Sequence, residues 1–189
     1  MSHASNLTAA EALERLKRGN EAYLSAERNS GDISPALRQH TALHGQSPYA
    51  IILTCSDSRV IPESIFSAGI GELFVIRTAG NIVGLHELGS IEYAAEHLGC
   101  RLAVVLGHTN CGAVGAALAG DPGGYIRFLT EEIRTAVGEE ADPTRAACLN
   151  VQHSAERIEQ ALGLPQDGGD GLQVRGALYH IDTGLAEFL

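Results

Sequence analysis

Ala103-Val104-Val105-Leu106-Gly107-His108-Thr109-Asn110-Cys111-Gly112-Ala113-Val114 opens on a short apolar run and passes, through a tight polar turn, into an alanine-rich segment. The apolar run has the length of a buried strand, and the segment after Gly112 has the composition of a helix. A strand handing over to a helix in this way is half of a βαβ unit and predicts a parallel sheet. In such sheets ligands sit beyond the carboxyl ends of the strands. His108 and Cys111 therefore stand where function is expected.

The same pattern extends outward in both directions. Residues 49–54 form another apolar run, ending at Cys55, and residues 73–77 a further one, ending in Thr78-Ala79-Gly80-Asn81. A short helix is expected after Pro62, and Leu88, Ile91, Ala94, Ala95 and Leu98 recur at helical spacing with Gly99 as a stop. Helices are predicted over 122–137 and 143–162, the second capped by Asp142 with Pro143 in its first turn. A last strand spans 172–181, followed by a short terminal segment. At the other end, residues 8–27 read as an amphipathic helix opened by a Thr8/Glu11 capping box. Residues 29–35 are a turn, and 35–44 a second helix. The expectation is an α/β fold with a mostly parallel central sheet flanked by helices. No repeat or linker divides the chain, so residues 1–189 are read as a single domain, with 1–45 as an N-terminal helical arm.

Composition removes several classes of function. The chain has 189 residues, 44% of them hydrophobic, and a formal net charge of −10. That charge, without any Lys/Arg cluster, argues against a nucleic-acid partner. No apolar run approaches the length of a membrane span. The amino-terminal residues are polar and helical rather than a secretion signal, so a cytoplasmic location is expected. In that reducing setting the four cysteines, Cys55, Cys100, Cys111 and Cys148, are better candidates for metal binding than for disulfides.

His108 and Cys111 are close enough in sequence to converge on one ion, and Cys55 at a neighbouring strand end is a plausible third ligand. Thiolate and imidazole suit zinc, and three protein ligands with one open position suit a hydrating or hydrolytic centre. Each residue alone has a plainer reading, since a cysteine at a strand end is usually a small core residue. Cys100 lies at the wrong end of its strand, and Cys148 falls in an amphipathic helix as a core residue. Asp57 and Arg59 sharpen the case. In an extended loop they would point the same way and pair beside the metal. The carboxylate could then take the fourth zinc position, or be held away by Arg59 so that water binds.

Cys55-Ser56-Asp57-Ser58-Arg59-Val60, Arg77-Thr78-Ala79-Gly80-Asn81 and Gly107-His108-Thr109-Asn110-Cys111-Gly112-Ala113-Val114 together resemble the β-class carbonic anhydrases. The likeness runs from Gly45-Gln46-Ser47-Pro48 through Ile91-Glu92-Tyr93-Ala94 to Gly176-Ala177-Leu178-Tyr179. It implies one zinc ion per chain on Cys55, His108 and Cys111, with Asp57 as fourth ligand or as the partner of Arg59. It implies reversible hydration of carbon dioxide to bicarbonate, with Asp57 and Arg59 catalytic. Gln46 would bind bicarbonate across a dimer interface, Phe74 and Tyr93 would line the apolar cleft, and the Gly112 N–H would meet a substrate oxygen. A homodimer or homotetramer is implied, with the N-terminal helices packed on a partner. Relatives often carry Asn at the Thr78 position. Some bacterial members bind a second, non-catalytic bicarbonate beside a tryptophan, where this chain has Ile52. The rival readings are a carbonyl sulfide or carbon disulfide hydrolase on the same scaffold, and a non-catalytic zinc-stabilised oligomer.

Overall fold

The computed structural model describes residues 7–26, 31–120, 123–165 and 171–189. The turn expected at 29–35, the loop at 163–171 and the extreme ends of two predicted helices fall partly outside the described residues. α1 (Ala9–Ser25) begins at the expected capping box: the Glu11 N–H donates to Thr8 Oγ1, and the Thr8 N–H donates to the Glu11 carboxylate at 2.8 Å. α2 (Pro35–His44) has Pro35 in its first turn and Ser34 as cap. None of the described helices is long and apolar enough to cross a membrane.

The sheet contains β1 (Ala50–Thr54), β2 (Leu73–Arg77), β3 (Leu102–His108), β4 (Gln173–Tyr179) and β5 (Ala186–Phe188), in the order β2-β1-β3-β4-β5. The first four are parallel, and β5 runs antiparallel to β4. Between them lie α3 (Pro62–Ile65), α4 (Leu85–His97), α5 (Gly112–Ala119), α6 (Ile126–Val137) and α7 (Pro143–Ala161). β5 stands where only a terminal segment was expected. Gly184, at φ +82°, reverses the chain, and paired bonds from Gly184 N to His180 O and from His180 N to Leu185 O fold it back. A strand so short leaves almost no periodicity to detect.

Both faces of the sheet are covered, which is why its strands read as continuous apolar runs. Ile52, Val104 and Ala177 pack beneath α1 and α3, whereas Ile51, Leu53, Val105 and Val174 pack beneath α4 and α7. The chain leaves β1 towards β2, then crosses back over β1 to enter β3, and leaves β3 towards β4. β1 and β3 therefore flank the switch point, where the exit loops diverge and open a crevice.

α7 packs against the strands where two glycines make room for Val151. A Cβ on Gly107 would lie 2.4 Å from Val151 Cγ2, and one on Gly176 would lie 2.8 Å from Val151 Cγ1. Gly107→Ala should therefore lower stability by about 1–3 kcal/mol through overpacking, measured by urea unfolding. An unchanged midpoint would show that the helix can retreat freely.

The two N-terminal helices differ in what they bury. α1 buries Ala9, Ala12, Leu16 and Asn20 on its own chain, and the Arg15 guanidinium lies 4.1 Å over the Tyr49 ring. α2 buries none of its residues, and Leu43 in its last turn is 81% exposed. The inner face of α1 is thus used within the chain, leaving α2 and the outer face of α1 for any partner.

Candidate metal centre

Cys55 follows β1, His108 ends β3, and Cys111 caps α5, so the crevice receives all three side chains. Their donor atoms lie within 4.8 Å of one another, and all three residues are buried. Cys55 Sγ and Cys111 Sγ are 4.0 Å apart. A disulfide needs about 2.05 Å. Two sulfurs at about 2.3 Å from one tetrahedral ion would stand about 3.8 Å apart, close to what is observed.

The histidine is set for the same purpose. His108 is fully buried, and its Nδ1 lies 2.9 Å from the Thr109 carbonyl oxygen. A carbonyl only accepts, so Nδ1 carries the proton and the lone pair is on Nε2. That Nε2 is buried without a hydrogen-bond partner among the described residues. An orphaned imidazole nitrogen facing two thiols is costly unless something binds it. Thr109 is itself tied down, its N–H donating to Tyr179 O and its Oγ1 accepting from Ile181 N.

Electrostatics agree with a shared site. The adjacent Cys111 pulls the Cys55 thiol down, helped by His108 and the Gly80 N–H, while Cys55 and burial together push Cys111 up. One sulfur ionises easily and its neighbour resists, as expected for like charges in a small space. Burial opposes the charged form of His108, yet Cys55, the Thr109 carbonyl and Asp57 outweigh it and raise its pKa. A divalent cation would relieve the repulsion between the two sulfurs.

Asp57 and Arg59 meet, although the loop is a turn rather than the extended segment expected. The Val60 N–H donates to Asp57 O, and the Arg59 N–H donates to Asp57 Oδ1 at 2.9 Å. Arg59 Nε then donates to Oδ1 at 3.0 Å and its Nη2 to Oδ2 at 2.7 Å. This fork holds the Asp57 carboxyl well below the usual carboxylate range. Asp57 Oδ2 lies 3.9 Å from His108 Nε2, outside the three-donor cluster. The carboxylate is thus beside the centre and restrained.

A family model described as carbonic anhydrase matches residues 50–186, the span that contains every one of these groups. The chain belongs to the β-carbonic anhydrase family. It is 37% identical over 193 residues to carbonic anhydrase 2 of Mycobacterium tuberculosis, covering 96% of this chain and 93% of that one. It is 34% identical to the carbonic anhydrase of Mycolicibacterium smegmatis, over 93% and 91% of the two chains. The fold is similar to the β-carbonic anhydrase CafA of Aspergillus fumigatus, with a TM-score of 0.74 and 30% identity over 82% of this chain and 81% of that one. It is also similar to a tetrameric β-carbonic anhydrase of Sordaria macrospora, with a TM-score of 0.70 and 26% identity over 95% and 94%.

Not every residue expected in this β-carbonic anhydrase's site lies together. Gly112, the first residue of α5, is exposed beside Cys111, and a side chain there would meet nothing within 4 Å. Phe74 and Tyr93 do form a pair, with ring centroids 6.2 Å apart. However, Phe74 is in register with Ile51 near the start of β1, about 13 Å of strand before Cys55. Gln46 is further still, in a recess of about 210 Å³ with His40, Thr41 and Glu72, at the amino end of the sheet. Within one chain these three residues lie towards the amino end of the sheet, apart from the donor cluster.

Other groups at this β-carbonic anhydrase centre escaped the sequence reading. Arg77 donates from Nε to Cys55 O at 3.2 Å and from Nη2 to Asp57 O at 2.7 Å, clamping the loop between them. A basic residue at a strand end, next to Thr78-Ala79-Gly80-Asn81, is its signal in the sequence. Gly80 donates its N–H to Cys55 Sγ at 3.3 Å, and the Asn110 carbonyl accepts from Arg59. Cys100 donates to Pro48 O at the far end of the sheet, as expected, while Cys148 is half-buried rather than a full core residue.

Proposed function

We propose that this chain binds one zinc ion through Cys55, His108 and Cys111 and hydrates carbon dioxide reversibly to bicarbonate. The observation that carries this reading is His108 Nε2, without a hydrogen-bond partner among the described residues and within 4.8 Å of two buried sulfurs spaced for one tetrahedral ion. When bound, zinc supplies Lewis acidity that brings the ionisation of water from about pH 15.7 towards neutrality, a general property of carbonic anhydrase centres.

The chain's own residues then orient the reaction. Asp57, kept ionised by Arg59, accepts a hydrogen bond at Oδ2 but does not retain a proton near neutral pH. It is an orienting acceptor rather than a proton store, and the released proton must leave by another route. The Gly112 N–H, at a helix start where backbone donors lack intrahelical partners, meets the developing carboxylate. Gln46, Phe74 and Tyr93 are assigned to substrate binding in the site of a second copy, because their own centre lies at the other end of the sheet. A homodimer or homotetramer follows. α2, with no buried residue, is the arm helix left to face that partner.

Stopped-flow hydration assays alongside zinc analysis test the proposal. One zinc per chain and rapid hydration of carbon dioxide are expected, with carbonyl sulfide and carbon disulfide turned over far more slowly. Rapid turnover of either sulfur compound without carbon dioxide hydration would replace the reading with the hydrolase. Tightly bound zinc with no turnover of any of the three gases would make the ion structural.

A further inference from the structure

The buried stripe of α7 carries two polar side chains a turn apart, Asn150 and Ser154. Both serve one backbone turn. Asn150 Nδ2 donates to the Gly80 carbonyl at 2.7 Å, and Ser154 Oγ donates to the Asn81 carbonyl at 3.2 Å. The turn is left-handed at both residues, with φ +74° at Gly80 and +46° at Asn81.

Gly80 suits this place because its positive φ disfavours a side chain and because a Cβ, 2.7 Å from Ile133 Cδ1 and 3.1 Å from Ala113 Cβ, would force Ile133 to shift. Glycine is also the residue least able to hold its own orientation. Its N–H nevertheless points at Cys55 Sγ. Asn150 supplies the missing restraint from the opposite side of the same residue. The arrangement has a cost, since Asn150 is 1% exposed and its Oδ1 has no partner among the described residues. An apolar side chain would complete the stripe without that orphaned acceptor.

We propose that Asn150 is a positioning residue for the metal centre, holding Gly80 so that its N–H is aimed at the Cys55 sulfur. This rests on the reading that Cys55, His108 and Cys111 hold zinc. Two thiolates donate much charge to an ion, which weakens its Lewis acidity. An N–H directed at one sulfur withdraws part of that charge, and α7 keeps the donor in place.

The test loads wild type, Asn150→Leu and Val151→Ala with cobalt(II) in place of zinc. It records the sulfur-to-cobalt absorption band and measures zinc affinity by chelator competition. In Asn150→Leu the band should move to lower energy and zinc should bind about 10- to 100-fold more weakly. Val151→Ala removes packing from the adjacent residue and should lose thermal stability while keeping band and affinity. If Asn150→Leu does not fold, Asn150→Ser, too short to hold the Gly80 carbonyl, takes its place with the same expectation. Wild-type band and affinity in the Asn150 variant, or an equal change in Val151→Ala, would overturn the role. A wild-type chain that binds neither ion would sink the reading of the site, and this role with it.

Discussion

Cys111→Ser yields a folded chain that neither retains zinc nor hydrates carbon dioxide above the buffer rate. Serine nearly matches cysteine in size but supplies no thiolate at neutral pH. Binding at structural zinc sites is worth about 10–16 kcal/mol over all ligands. Losing one of three protein donors, about 3–5 kcal/mol of that, should thus weaken affinity by a few hundredfold to several thousandfold. The fold should survive, because the surrounding packing of Val114, Ala117, Ile133, Val137 and Ala146 does not depend on the sulfur's charge. Metal analysis after dialysis against a chelator, with circular dichroism as a folding control, checks both halves. A variant that keeps stoichiometric zinc and wild-type turnover would remove Cys111 from the ligand set.

Asp57→Asn has the opposite profile: zinc stays and activity falls by about a hundredfold or more. The carboxylate lies outside the donor cluster, so metal affinity does not rest on it. An amide can satisfy Arg59 with its oxygen only, and it then turns an N–H donor towards the reacting group. Arg59→Ala should also lose activity, for a different reason. Without the two hydrogen bonds from the Arg59 guanidinium, the Asp57 carboxylate keeps only the N–H of residue 59 and can swing across the 3.9 Å that separates it from the His108 nitrogen. X-ray absorption should then find four protein donors at the zinc in that variant, closing the position water needs. Wild-type hydration rates in either variant would end the proposed role of the pair.

Much of the molecule is legible in its sequence. The parallel strands announced themselves because both their faces are buried, and the three donors fell at strand ends where an α/β sheet opens. α1 and α7 were readable from their caps, since Thr8 and Asp142 each accept a backbone N–H at a helix start. What stayed hidden depends on contacts between distant segments. Nothing local marks Thr109 as the residue that fixes the imidazole, or Gly80 as a donor to sulfur. Asn150 and Ser154 did leave a trace, as polar residues on an otherwise apolar helical stripe. The resemblance put Gln46 across a dimer interface, but the separation of Phe74 and Tyr93 from their own chain's cluster emerged only from the fold, because one strand's sequence does not say which copy its far end serves.

The seat of α7 on two bare backbone positions also bears on how such a chain can change over generations. Residues 107, 151 and 176 occupy one shared volume, so none can grow unless another shrinks. Drift at these sites must proceed in coordinated steps, and a helix that shifted to accommodate a new methyl group would carry Asn150 with it. Substitutions that look harmless from the viewpoint of the active centre can reach it through the tilt of that one helix.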